Sequence, residues 1–167
     1  MNKDRFKNIG IALVVLLVVS QFVRPSRANP ASDPSKALAS SVHPPANVAR
    51  SLDRGCRDCH SNDTTWPWYT NVAPVSWWII HHVNDGRREV NFSTWGDQPP
   101  GRLSRKLGDI CEQVERREMP MTSYLLVHSD AKLTDAERQA ICDWTKTEQA
   151  KIGPVPPEGR GRRGRRD

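Results

Sequence analysis

A chain of 167 residues, 37% apolar and 26% charged, has the length and composition of one ordinary globular domain rather than of a polytopic membrane protein. Its formal charge of +6 suggests a polyanion partner, but residues 1–29 carry +4 and residues 153–167 carry +3, leaving −1 for residues 30–152. A nearly neutral central domain is a poor binder of phosphate backbones, so no nucleic-acid partner is expected. The lack of any fixed-period repeat excludes solenoid and propeller architectures.

In chain order, the first segment is residues 1–28, where the basic leader Lys3, Arg5 and Lys7 precedes an apolar run from Ile9 to Val23. That is the layout of a secretory signal or a membrane anchor. Fifteen helical residues reach roughly 22 Å, short of the ~30 Å hydrocarbon core, so length does not decide between them. A small-residue cleavage site exists at Ala28, but the polar Arg24-Pro25-Ser26-Arg27 before it is a weak cleavage region, which favours a retained anchor. Residues 29–46 follow, with Pro30, Pro34, Pro44 and Pro45 among Ser and Ala, and read as an extended tether.

The domain proper is expected over 47–152, and its pattern is all-α. A first helix over about 46–59 places Val48 and Leu52 on one face. A second, over 74–90, opens at Pro74 and carries Val75, Trp78, Ile79, His82 and Val83 at helical spacing. A third, over 101–118, repeats apolar residues at Leu103, Leu107, Ile110, Cys111 and Val114. A fourth starts with the capping-box pattern Thr134-Asp-Ala-Glu137, runs through Ala140, Ile141 and Trp144, and stops at Gly153. No stretch alternates with the period of a strand. Residues 153–167, with Pro and Gly at about half their positions and five arginines, should be a disordered tail.

Cys56-Arg57-Asp58-Cys59-His60 is C-x-x-C-H, the attachment pattern of a covalent c-type haem. Two cysteines one helical turn apart face the same way and so meet the two vinyl groups of one porphyrin; the adjacent imidazole then reaches the iron. A thioredoxin-like pair would want a strand before the cysteines, where a helical pattern stands instead. A zinc site would want a second paired spacing, whereas Cys111 and Cys142 stand alone. Haem of this type is attached outside the cytoplasmic membrane, which agrees with an export segment and puts the domain on the extracytoplasmic, periplasmic side of a bacterial membrane, anchored or secreted.

The run Cys56 to Tyr69, with Val72-Ala-Pro-Val-Ser-Trp-Trp78, Asn91-Phe-Ser-Thr-Trp95, Glu118-Met-Pro120, Tyr124, His128 and the Leu-Thr-x-x-Glu start of the last helix, resembles the small bacterial haem-binding domain proteins, which look like divergent single-haem c-type cytochromes. The similarity extends over about 24–150. It implies a cytochrome-c-like helical fold around one covalent haem and its iron, with Cys56, Cys59 and His60 as attachment and proximal ligand. It does not supply a physiological reaction.

The sixth iron position separates an electron carrier from a gas-binding sensor or a peroxidase-like enzyme. Met119, before Pro120 in the loop after the third helix, is similar to the ligand of ordinary c-type cytochromes and is the expected partner of His60; Met121, His81, His82, His128 and His43 are the alternatives. Trp66, Trp68, Trp77, Trp78 and Trp95 are expected to wall the haem, Trp66 and Trp95 foremost, with indole N–H groups reaching propionates or backbone. The reading is a single-electron carrier with an unidentified redox partner protein and contact with the membrane through the N-terminal helix. A sensor with an open or labile sixth position is the first alternative and a peroxidase-like enzyme the second. Cys111 and Cys142 form either one bridge or two buried thiols, a choice the sequence leaves open.

Overall fold

The computed structural model describes residues 3–153, so the Arg-rich tail expected over 153–167 lies outside the described residues except for Gly153. The helices are α1 (Lys3–Ser20), α2 (Leu38–Val42), α3 (Ala46–Gly55), α4 (Arg57–His60), α5 (Val75–Glu89), α6 (Pro100–Glu115), α7 (Thr122–Leu125) and α8 (Asp135–Ile152). Short 3-10 turns stand at Pro34–Lys36, Trp68–Asn71, Phe92–Asp97 and Ser129–Ala131. No strand occurs among the described residues, and the all-α reading holds. The described residues form two compact units, one from residues 3–32 with 57–92, the other from 33–56 with 93–153.

In the first unit, α1 is apolar on all sides after its charged start and has no buried residue. No helix among the described residues is long and apolar enough to cross a membrane. The 18 residues of α1 include Lys3, Asp4, Arg5 and Lys7, so the expected anchor does not reach the length of a span. The chain leaving α1 does not float away from the unit. The Gln21 side chain accepts from the Ala73 N–H at 3.0 Å and donates to the Ala73 carbonyl at 3.1 Å. The Trp77 indole N–H donates to the Val23 carbonyl at 2.7 Å, and Asn29 donates to the Thr64 carbonyl at 2.9 Å. Part of the segment expected to be an extended tether is thus bonded in place, and residues further on form the Pro34–Lys36 turn and α2.

Helix α5 buries Ser76, Ile80 and Val83. This corrects the inward stripe expected from spacing: Val75 and Trp78 are 45% and 47% exposed. The small Ser76 takes the inward position because the helix packs closely against polar loops, where Ser61, Asn62, Thr64 and Thr70 are buried.

The second unit has a conventional apolar core. Helix α6 contributes Leu107, Ile110, Cys111 and Val114, helix α8 contributes Ile141, Cys142 and Trp144, and α3 adds Val48 and Leu52. Burying a side chain such as Leu107 is worth about 1.5–3 kcal/mol, so these few positions carry most of the cohesion. A disulfide joins Cys111 to Cys142 and resolves the alternative left open by the sequence. The sulfurs lie close to the Glu115 carboxylate, yet once bonded to each other they offer no thiolate to a metal. The Thr134 capping box is present in full, with Glu137 as its reciprocal partner.

Candidate functional site

The helix expected over 46–59 breaks at Cys56. Its φ of −129° leaves the helical region, and its N–H caps α3 by donating to the Leu52 carbonyl. Cys59 and His60 then occupy the single turn α4. That turn is held by the loop after it. The Thr64 hydroxyl donates to the Asp58 carbonyl at 2.7 Å, and the Thr65 N–H donates to the Asp58 carboxylate at 3.1 Å. Arg87 on α5 donates to the Ser61 carbonyl, to Thr64 Oγ1 and to Asn29 Oδ1, each at 2.8 Å. A guanidinium bonded so fully to this frame is a brace for the loop.

His60 is fixed from the far side by the end of α5. Its Nδ1 lies 3.0 Å from the Gly86 carbonyl and 3.1 Å from the Val90 carbonyl. Carbonyl oxygens only accept, so Nδ1 must carry the proton and the lone pair resides on Nε2. The Phe92 ring lies 6.1 Å away, tilted by 32°. The close approach of α4 to α5 depends on Gly86, because a Cβ there would sit 2.6 Å from the Cys59 carbonyl oxygen. Cys56 and Cys59 are outside the disulfide. Burial, with Asp58 adding to it, pushes the Cys59 thiol up to about 11. A protonated thiol is the reverse of the activated thiolate that a thiol–disulfide enzyme needs.

The remaining expected residues lie in several places. Trp66 is half-buried and its indole N–H donates to Asn29 Oδ1 at 3.2 Å. Trp95 is 2% exposed in the second unit, with its indole N–H lacking an acceptor. Trp144 has a similarly unsatisfied N–H, so that feature alone does not single out Trp95. Met119 is half-buried; its N–H donates to the Gln113 carbonyl at 3.2 Å, and its own carbonyl accepts from Arg138 at 3.4 Å. The next residue, Pro120, is buried against Gly55, where a Cβ would meet the proline ring at 3.1 Å. Gly55 immediately precedes Cys56, so within the second unit the Met-Pro loop abuts the end of α3 that carries the first cysteine.

In three of the other ligand candidates the side chain has a protein partner. His81 lies 3.1 Å from the Asp85 carboxylate, His82 bonds the Trp78 carbonyl, and His128 stacks on Tyr124 with ring centres 4.0 Å apart. His43 is an exposed left-handed cap of α2, and Met121 caps the start of α7. Sequence reasoning placed Arg87 as a propionate partner or a surface charge and missed its bracing role, that of Asn29, and the carbonyls of Gly86 and Val90. Only Gly86 had a local signal, being a glycine inside a helical pattern.

These residues fit a haem on the chemistry of the donors. Two thiols stand in attachment spacing, an imidazole has its tautomer set for ligation through Nε2, and a thioether sits in the loop against the first cysteine's helix. Comparison of the chain with curated proteins and with solved structures finds no match. The model of one family, the haem-binding domain, matches residues 15–147, a stretch that begins inside α1 and takes in the pentad, its bracing loop, the Met-Pro segment and most of α8. A haem-binding role follows from that match and from this donor set together, and the chain belongs to the haem-binding domain family.

Proposed function

We propose that the chain is an exported c-type cytochrome that carries single electrons, with haem bound covalently through Cys56 and Cys59 and its iron held by His60 and Met119. The observation that carries the reading is the paired carbonyl contact to His60 Nδ1 from Gly86 and Val90. A histidine that merely filled space would not need its outer nitrogen clamped twice; a ligand does, because the clamp sets both the tautomer and the ring plane. When bound, the haem supplies a one-electron couple at the iron.

The protein's contribution is positional. The Asp58, Thr64 and Arg87 bonds hold the loop after the pentad, so the His60 ring is fixed from both directions. Hydrogen bonds from Nδ1 to the carbonyls of Gly86, in the last turn of α5, and Val90, its C-cap, place His60 at the negative end of a helix dipole, which raises imidazole basicity and favours the oxidised iron. The buried Trp95 N–H in the second unit seeks an acceptor, and a propionate carboxylate would satisfy it. Export is supported by the Cys111–Cys142 disulfide, a bond that persists in oxidising compartments, and by the basic-then-apolar start of the chain.

The test is the purified protein's optical spectrum with haem-maturation machinery co-expressed. Haem that stays with the chain through denaturing electrophoresis, a sulfur-to-iron near-infrared band, and no carbon monoxide binding by the reduced protein are expected. Haem that extracts into acidified solvent would end the covalent reading. Ready carbon monoxide binding would replace the carrier with a sensor or enzyme.

A further inference from the structure

Beyond α1 itself, the first unit exposes large apolar side chains in two short stretches. Phe22 and Val23, at the exit of α1, are 84% and 59% exposed, and Trp68 is 78% exposed. Val72, Val75 and Trp78 follow at intervals of three residues, the last two one turn apart on α5 and all more than two-fifths exposed. The two stretches are bonded to one another: Gln21 pairs with both backbone groups of Ala73, and Trp77 donates to the Val23 carbonyl. The exit of an apolar helix is therefore pinned to an aromatic, solvent-facing surface of the same unit.

A helix that is apolar all round is not stable bare in water and needs a cover. The apolar part of α1, Ile9 to Ser20, reaches roughly 18 Å against a hydrocarbon thickness of ~30 Å. That shortfall of about 12 Å draws the exit of α1 towards the bilayer, into whose headgroup boundary interfacial elements sink by about 5–10 Å. Tryptophan is the side chain enriched at that depth. Arg24, exposed on the same connecting strand, suits anionic headgroups.

We propose that α1 is retained in the mature protein, enters the bilayer, and draws the Phe22–Val23 and Trp68–Trp78 surface into the phospholipid headgroup layer. This rests on the reading of the chain as an exported protein and adds to it a membrane-contacting face on the folded unit. The partner is the phospholipid bilayer itself. The short apolar helix and the exposed tryptophans then have one explanation, since each would be a liability without the other.

The full chain, reconstituted in phosphatidylcholine and phosphatidylglycerol vesicles that carry a headgroup-level photocrosslinker, provides the test, with captured peptides mapped by mass spectrometry. Capture of peptides containing Trp68 and Trp78, alongside an unlabelled α8 peptide as control, is expected. Trp68→Ser with Trp78→Ser should lower that capture several-fold, and Val75→Asn, at a half-exposed position, should lower it with unchanged helix content. Label confined to residues 3–23, or an intact mass lacking that segment, overturns the proposal. So does a dimer of the detergent-solubilised chain that hides these same peptides from aqueous labelling, because a second copy is then the cover. Haem content of the same sample, measured by pyridine haemochrome, reports separately on the proposed function.

Discussion

Gly86 shows how one missing methyl group sustains the site. Its hypothetical Cβ lies 2.6 Å from a backbone oxygen of Cys59, which has no flexible end to swing aside. Gly86→Ala should push α4 from α5 and lengthen the His60 contact, at a cost of about 1–3 kcal/mol in stability. Reduced haem incorporation and a lower melting temperature are the expected readings. Gly10→Ala, where nothing lies within 4 Å, should leave both unchanged. Trp95 makes a different single-residue case. Its buried N–H has no acceptor among the described residues, so Trp95→Phe in the haem-free chain removes an unsatisfied donor and should cost little beyond the lost volume. If that N–H bonds a propionate, the same change in the haem-loaded protein should shift the reduction potential. An unshifted potential would return Trp95 to the role of a core side chain.

At the scale of elements, α8 is held at its start by a network that reads pH. Glu137 accepts from the Thr134 N–H at 2.8 Å and from Arg54 of α3 at 2.8 Å, and these bonds, the backbone one foremost, pull its carboxyl down to about 2. A carboxylate whose folded value lies below its ordinary 4.5 stabilises the fold fully above that value and loses the contribution as pH falls towards 2. Glu137→Gln should flatten the acid limb of the stability profile, and Thr134→Ala should cost about 1 kcal/mol at neutral pH. Urea midpoints between pH 2 and 6 check both. The capping box was legible in four letters of sequence because its partners lie within one turn. So were α6 and α8, whose buried residues recur with helical period, whereas α5 was legible as a helix but not in the face it buries. The break at Cys56 was not, since Arg57 and Asp58 are compatible with a continued helix and the bonds that hold α4 come from Thr64 and Thr65, beyond its own turn. Nor was the docking of 21–31: Gln21 and Asn29 find partners about 50 and 35 residues away, a separation that leaves no mark on local pattern. The pentad exposed the attachment chemistry; the carbonyls that orient His60 have no residue type and could not be read.

At the scale of the whole molecule, the two units are stabilised in unlike ways. The first relies on buried hydroxyls, amides and a bonded guanidinium around Ser61, Asn62, Thr64 and Arg87. The second relies on an apolar core crossed by the Cys111–Cys142 bridge, whose ends are 31 residues apart and enclose Met119. Closing a loop of that length in the unfolded chain is worth about 3–4 kcal/mol in the chain-entropy account. Reductant should therefore lower the stability of the second unit by that order, and Cys111→Ser with Cys142→Ser should reproduce the loss in its absence. The consequence reaches the proposed sixth ligand. Because the bridge ties α6 to α8 on either side of the Met-Pro loop, its removal should let that loop open more often. In the haem-loaded protein, carbon monoxide binding by the reduced form should rise in the bridgeless variant while the pentad and its haem stain stay intact. If the bridge is cut and carbon monoxide is still excluded, the ligand loop is held by Pro120 against Gly55 and by Arg138 at the Met119 carbonyl, and the disulfide serves stability alone.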